Sequence, residues 1–290
     1  MKGTVVVALA AAAVPLAFAA TAGAGPSTHH AVASTCGRDN PDLITPGKLT
    51  IGTDNPAFPP WFGGTPKDPW QVSDPRSGQG YESAVAYAVA GRIGFRRADV
   101  EWVFVPFGKS FAPGPKDFDV FINQVSILPE RAKNVSFSTS YYNVNQAVVA
   151  IKGTPVAGVK TVGALRPFRF GAQIGTTSLS TIQNRVKPTR EPRVYRDQAS
   201  AVTALKNGQV HAIVVDLPTG FFVTAAQVDN SLIVGQFPRQ GKPEQFGIVM
   251  PKGSLLVSCV NRAIAGLRSD GTIRRFETKW LSRAGAPFLK

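Results

Sequence analysis

Residues 118–122, Phe-Asp-Val-Phe-Ile, make an apolar run that turns polar at Asn123 and Gln124 and presents Ser126. Pro129 then opens a helical turn carrying Glu130 and Arg131. A strand that ends this way empties into a site. Ligands of open α/β sheets collect just beyond the carboxyl ends of the strands, so a hydroxyl and a guanidinium placed there can face one small molecule. Arg131 offers the planar fork of donors that matches a carboxylate bidentately. The alternative is a solvated arginine paired with Glu130 or Asp119.

The rest of the chain alternates strands and helices, which predicts an α/β fold. Strands are expected near residues 49–54, 100–105, 146–151, 168–174, 211–217, 232–237 and 246–250. A helix from Tyr81 places Val85, Val89 and Ile93 on its face at helical spacing, and another over 199–207 stops at Gly208. Further helices run through Ile182 and Val186, over 255–267, and through Ile273 to Trp280.

Three other strand ends carry candidate chemistry. The first strand closes in Asp54 and leads to a proline-stiffened loop holding Phe58 and Trp61, which either line a site or pack on the nearest core. After the strand near 168–174, Gly-Thr-Thr presents Thr176 and Thr177 at a helix start, as an anion site or as a plain helix cap. The strand near 211–217 ends in Asp216, a ligand for a cation or an N-cap for the helix that Pro218 opens.

A net charge of +14 raises the possibility of a nucleic-acid partner. The basic residues are spread rather than clustered, and neither zinc-ligand spacing nor an aromatic-basic RNA signature is present, so no nucleic acid, metal or cofactor is expected. Attraction to acidic envelope polymers or anionic lipid is the consequence the charge permits. Residues 1–24 begin Met-Lys and continue as an uncharged, alanine-rich run with small-x-small cleavage candidates, which reads as a signal peptide; a retained membrane anchor is the alternative. Cys36 and Cys259 are the only cysteines. In an exported chain one disulfide is the simplest expectation. Lipidation at Cys36 is the alternative, although polar Thr28, His29 and His30 separate that cysteine from the apolar run.

The central stretch resembles the signature of the polar amino-acid family of solute-binding proteins, the receptors of bacterial ABC importers. There a Phe-Asp-Val strand runs into Thr-Pro-Glu-Arg-Ala-Lys and then Phe-Ser-x-x-Tyr-Tyr. Here residues 128–133 read Leu-Pro-Glu-Arg-Ala-Lys, and Phe137, Ser138, Tyr141 and Tyr142 follow in the matching places. The resemblance extends over about residues 49–280. It implies a bilobed periplasmic-binding-protein-like α/β fold joined by two crossing strands, with lobe 1 over 48–151 and 243–290, lobe 2 over 152–242, and 25–47 as an N-terminal extension.

It also implies roles. Arg131 with Thr177, beside Thr176, would hold a free amino acid's carboxylate, and Asp216 with Ser126 its ammonium. Phe58 would cover the ligand with Trp61 behind it, while Asp54 and Gln124 are further candidate contacts. The partners implied are a free amino acid and the importer's membrane permease, with the receptor a monomer. The rival functions are an enzyme on the same fold, of the cyclohexadienyl dehydratase type with Glu82 or Asp54 as its acid, and a ligand-sensing module.

Overall fold

The structure is a computed structural model that describes residues 1–4, 36–281 and 285–290. Apart from its first four residues, the expected signal peptide lies outside the described residues. The chain runs β1 (Leu49–Thr53), α1 (Tyr81–Arg92), β2 (Val100–Phe104), β3 (Val120–Phe121), α2 (Pro129–Ala132), β4 (Val135–Phe137), β5 (Tyr142–Val144), β6 (Gln146–Ile151) and β7 (Phe170–Gln173). It continues through α3 (Thr177–Thr181), a π turn (Ile182–Val186), β8 (Arg193–Tyr195), α4 (Gln198–Lys206), β9 (Ala212–Asp216), α5 (Leu217–Phe222) and β10 (Ser231–Gln236). Last come β11 (Glu244–Phe246), β12 (Val249–Pro251), α6 (Leu256–Ser269) and α7 (Thr272–Trp280).

Two five-stranded sheets define two lobes. The first has the order β2-β1-β3-β12-β4 and the second β10-β6-β9-β7-β8. All of β1 is buried, as a parallel strand covered on both faces must be, which is why it reads as an apolar run. Helix α1 presents the expected face: Tyr81, Val85, Val89 and Ile93 all enter the first core with Ile51, Val260 and Ile264. Asp119 is buried and accepts from the backbone N–H groups of Ile44 and Thr50, so the segment before β1 is stitched to the first lobe.

The passage between lobes differs from the expectation in three ways. Strand β6 does not end the first lobe: it pairs antiparallel with β9 and β10 inside the second sheet. The crossing is made instead by β5 and β11, which pair with each other as a two-stranded ribbon. The C-terminal tail also belongs with the second lobe. Phe288 bridges to Gln236, Leu289 is 2% exposed within the second core, and the Lys290 N–H donates to Lys160. A Cβ at Gly235 would lie 2.9 Å from the Leu289 side chain, so this close seat exists because position 235 has none.

The tail therefore returns from the helices of the first lobe to the sheet of the second. Leu289→Ala should lower the urea unfolding free energy by about 3 kcal/mol, the ordinary cost of emptying a buried leucine site. A change well under 1 kcal/mol would mean that the tail only rests on the surface.

Candidate functional site

The segments that follow β3 and β7 and the end of β9 bring Ser126, Arg131, Thr177 and Asp216 together between the two sheets. Beyond β3, Arg131 is 5% exposed. Its Nη1 donates to the Ser126 carbonyl at 2.9 Å and its Nη2 to the Gly175 carbonyl of the second lobe at 2.8 Å. The guanidinium stacks over Phe111 at 4.3 Å, with Phe107 at 5.6 Å. Burial pulls its pKa down to about 10, against the opposing effect of the Glu244, Glu130 and Asp216 charges. The solvated arginine is thus ruled out. A cavity of about 450 Å³ opens beside it, between Phe111 and Asn134 of the first lobe and Gly175, Thr177 and Gln183 of the second.

Facing it, Asp216 stands at the N-cap position of α5, yet its side chain makes no cap hydrogen bond. It accepts instead from Gln146 Nε2 at 2.7 Å. The same nitrogen lies 3.0 Å from Glu244 Oε2 and 3.4 Å from Thr177 Oγ1, and Gln146 Oε1 accepts from the Ser178 hydroxyl at 2.7 Å. From the first lobe, Ser126 Oγ donates to Glu244 Oε1 at 2.5 Å and lies 3.5 Å from Thr177 Oγ1. Burial first, and then the Glu244 charge, hold the Asp216 carboxyl well above the usual carboxylate range.

Ser126, Arg131, Thr177 and Asp216 are therefore gathered in one network. Gln146 and Glu244, which sequence reasoning missed, join its two halves. Thr176 behaves as the plain cap: its hydroxyl accepts from the Leu179 N–H and donates to the Gln173 carbonyl.

The remaining candidates divide. Asp54 is half-buried at the end of β1, and its carboxyl is pushed up to about 6, chiefly by burial, with the Asp197 charge of the second lobe adding to the rise. Phe58 is half-buried on its loop. Trp61, expected behind it, is withdrawn into the core: it is 2% exposed and meets Tyr81, Tyr142 and Phe246 edge to face. Its indole N–H spans the lobes to Thr219 Oγ1 at 2.8 Å, so the ring contributes at the hinge rather than in the cleft.

Gln124 sits in the left-handed region (φ +49°) and is tied to Glu82, which accepts from its backbone N–H at 2.7 Å and from its side-chain amide. Glu82 also accepts from the Tyr141 hydroxyl. This buried acid sets the turn that presents Ser126. Burial pushes its carboxyl up to about 7, against the hydrogen bonds that pull it down.

A carboxyl raised on folding makes the native state bind the proton more tightly, so its contribution is complete below the unfolded value near 4.5 and is lost as pH rises through about 7. Asp54 acts in the same sense over a lower window. The urea midpoint of the wild type should therefore fall between pH 5 and 8, and that of Glu82→Gln should fall less. Parallel curves for the two proteins would exclude Glu82 as a source of the slope.

Two α/β lobes linked by a crossing ribbon, with a polar network at their facing strand ends, define the class of bilobed binding folds. Within that class the chain belongs to the bacterial extracellular solute-binding proteins, family 3, which it matches over residues 49–283. It is 30% identical over 167 residues to the L-cystine-binding protein TcyJ of Escherichia coli (strain K12), a match covering 57% of this chain and 60% of that protein's length. An ancestral arginine-binding protein bound to arginine shares the fold with a TM-score of 0.65 and 28% identity, over 81% of this chain and 99% of the other. A likeness of fold at 24% identity and TM-score 0.67, over 81% and 96% of the two chains, links it to the ancestral amino-acid-binding protein AncCDT-1, a precursor of cyclohexadienyl dehydratase.

Proposed function

We propose that this chain is an exported, monomeric receptor that closes its two lobes on one free amino acid and presents it to the membrane permease of an ABC importer. The observation that carries this reading is the network itself: a buried guanidinium and a hydroxyl from the first lobe stand in the same cleft as a hydroxyl and a carboxyl from the second. A zwitterion brings two opposite charges out of water, and each needs a partner or desolvation prevents binding. Arg131 and Thr177 meet the carboxylate, Asp216 and Ser126 the ammonium. Asp54 and Phe58, further along the first lobe, face the ligand's side chain.

Because the partners come from both lobes, the ligand favours the closed state by its differential affinity, and the permease reads that state. Hinge closure around a ligand is the general motion of periplasmic binding proteins. The disulfide between Cys36 and Cys259 suits an oxidising compartment outside the cytoplasm. Binding is favoured over turnover. His211 lies at the amino end of β9, opposite Asp216, and its Nδ1 accepts from the Arg169 N–H.

A thermal-shift screen over the twenty common L-amino acids and L-cystine tests the reading. At a concentration of about a hundred times Kd, a ligand should add about 2.7 kcal/mol of stability and raise Tm by several degrees. A flat response to every compound would end the proposal.

A further inference from the structure

The receptor reading assigns one carboxylate, Asp216, to the ammonium, and a second, Glu244, stands at the same amide. Asp216 and Glu244 both accept from the single nitrogen Gln146 Nε2, at 2.7 and 3.0 Å. That amide has no freedom to turn away, because its oxygen is engaged by the Ser178 hydroxyl at 2.7 Å. The two acids come from separate parts of the fold, Asp216 from the end of β9 in the second sheet and Glu244 from the ribbon that joins the lobes. Two like charges around one amide, both half-buried between the lobes, repel each other, and that repulsion favours a proton on one of them.

Resting on the receptor reading, we propose that Asp216 and Glu244 together form the ammonium subsite, and that the amino acid's ammonium enters it in exchange for a proton released from Asp216 to solvent. Before binding, Asp216 is a neutral carboxylic acid beside the Glu244 carboxylate. On binding, its O–H bond breaks, the proton passes to buffer, and the ammonium donates to both carboxylates with its three N–H groups.

Glu244 is a ligand contact in this scheme, and Gln146 is the positioning residue that holds both acids at one point. The other groups that act on Asp216 are Glu82 from α1, which favours the proton, and Arg131 from α2, which opposes it. Tyr141 and Tyr142 stand on the same side, and burial holds both hydroxyls in the neutral form. None of these supplies a mobile positive charge, which leaves that part to the ligand.

A proton released on binding makes affinity rise with pH, by about tenfold per unit while free Asp216 still holds its proton, and level off above that point. Calorimetric titration with the L-amino acid that gives the largest thermal shift, run at pH 7 in phosphate and in Tris, reads the proton count from the difference in heat between the buffers. For the wild type the count should be positive, up to one proton per ligand bound. Glu244→Gln should lower it and move the rise of affinity with pH to lower pH, whatever it does to affinity itself, because burial holds the proton on Asp216 as well as the Glu244 charge.

Tight wild-type binding with equal heats in both buffers would overturn the exchange while leaving the receptor reading intact. A Glu244→Gln protein that releases as many protons as the wild type would remove Glu244 from the subsite. Absence of binding by the wild type to every panel compound would remove the receptor reading and this proposal with it. The wild-type measurement stands alone if the variant fails to fold.

Discussion

Arg131→Ala should weaken binding of the amino acid by about 2 to 5 kcal/mol, a factor of roughly thirty to several thousand in Kd, because it leaves a carboxylate in the cleft without its cation. The guanidinium is held in place before any ligand arrives. Phe111 lies against its face, and the Ser126 and Gly175 carbonyls use two of its donors, leaving the others of its five N–H groups for a carboxylate. Preorganisation of this kind reduces the entropy lost on binding.

The same side chain links the lobes, so the variant should also melt earlier without ligand. The two effects are separable, since the Tm of the free protein reads the link and Kd reads the carboxylate contact. Arg131→Lys keeps a charge but loses the fork, and should fall between the wild type and the alanine variant. Wild-type Kd in Arg131→Ala, with the protein folded by circular dichroism, would exclude Arg131 from the carboxylate subsite.

The second large effect concerns stability. Cys36 and Cys259, 223 positions apart in sequence, form a disulfide with Cα atoms 5.6 Å apart. Closing so long a loop in the unfolded chain contributes about 5 kcal/mol in the chain-entropy model. Replacing both cysteines by serine, or melting the wild type under a thiol reductant, should lower Tm by on the order of 10 °C.

Amino-acid affinity at 25 °C should hardly change. Cys259 lies on α6 in the first core, and the network around Asp216 is built from other elements. A loss of less than 2 °C would show that the unfolded chain is held compact by other means. A large loss of affinity would show that the bond reaches the cleft after all.

How much of this was legible in the chain differs from residue to residue. Asp216 could be singled out because it closes an apolar strand, where a polar side chain has no packing reason to be, and Ser126 and Arg131 because they follow one within ten residues. Position alone does not separate Thr176 from Thr177, since adjacent hydroxyls at a helix start look alike; the resemblance put Thr177 on the carboxylate, and backbone direction makes Thr176 the cap. Phe58 and Trp61 posed the same problem on the proline loop. Gln146 opens a strand and so reads as its polar edge, and Glu244 follows Lys242 and Pro243 and so reads as a surface charge. Their meeting depends on contacts spanning 98 residues.

The crossing was misplaced for a related reason. Strands β5 and β11 have three residues each, too few to display the alternation that marks a strand.

The sequence by itself determined the class of fold, the helix faces and the strand ends that carry chemistry, because those are local patterns imposed by backbone period and by the cost of burying polar groups. Tertiary structure alone decided which lobe owns β6 and the C-terminal tail, which aromatic ring turns inward, and that two distant carboxyls share one amide. Those outcomes depend on how segments far apart in the chain pair and pack, and no short window of residues contains that information.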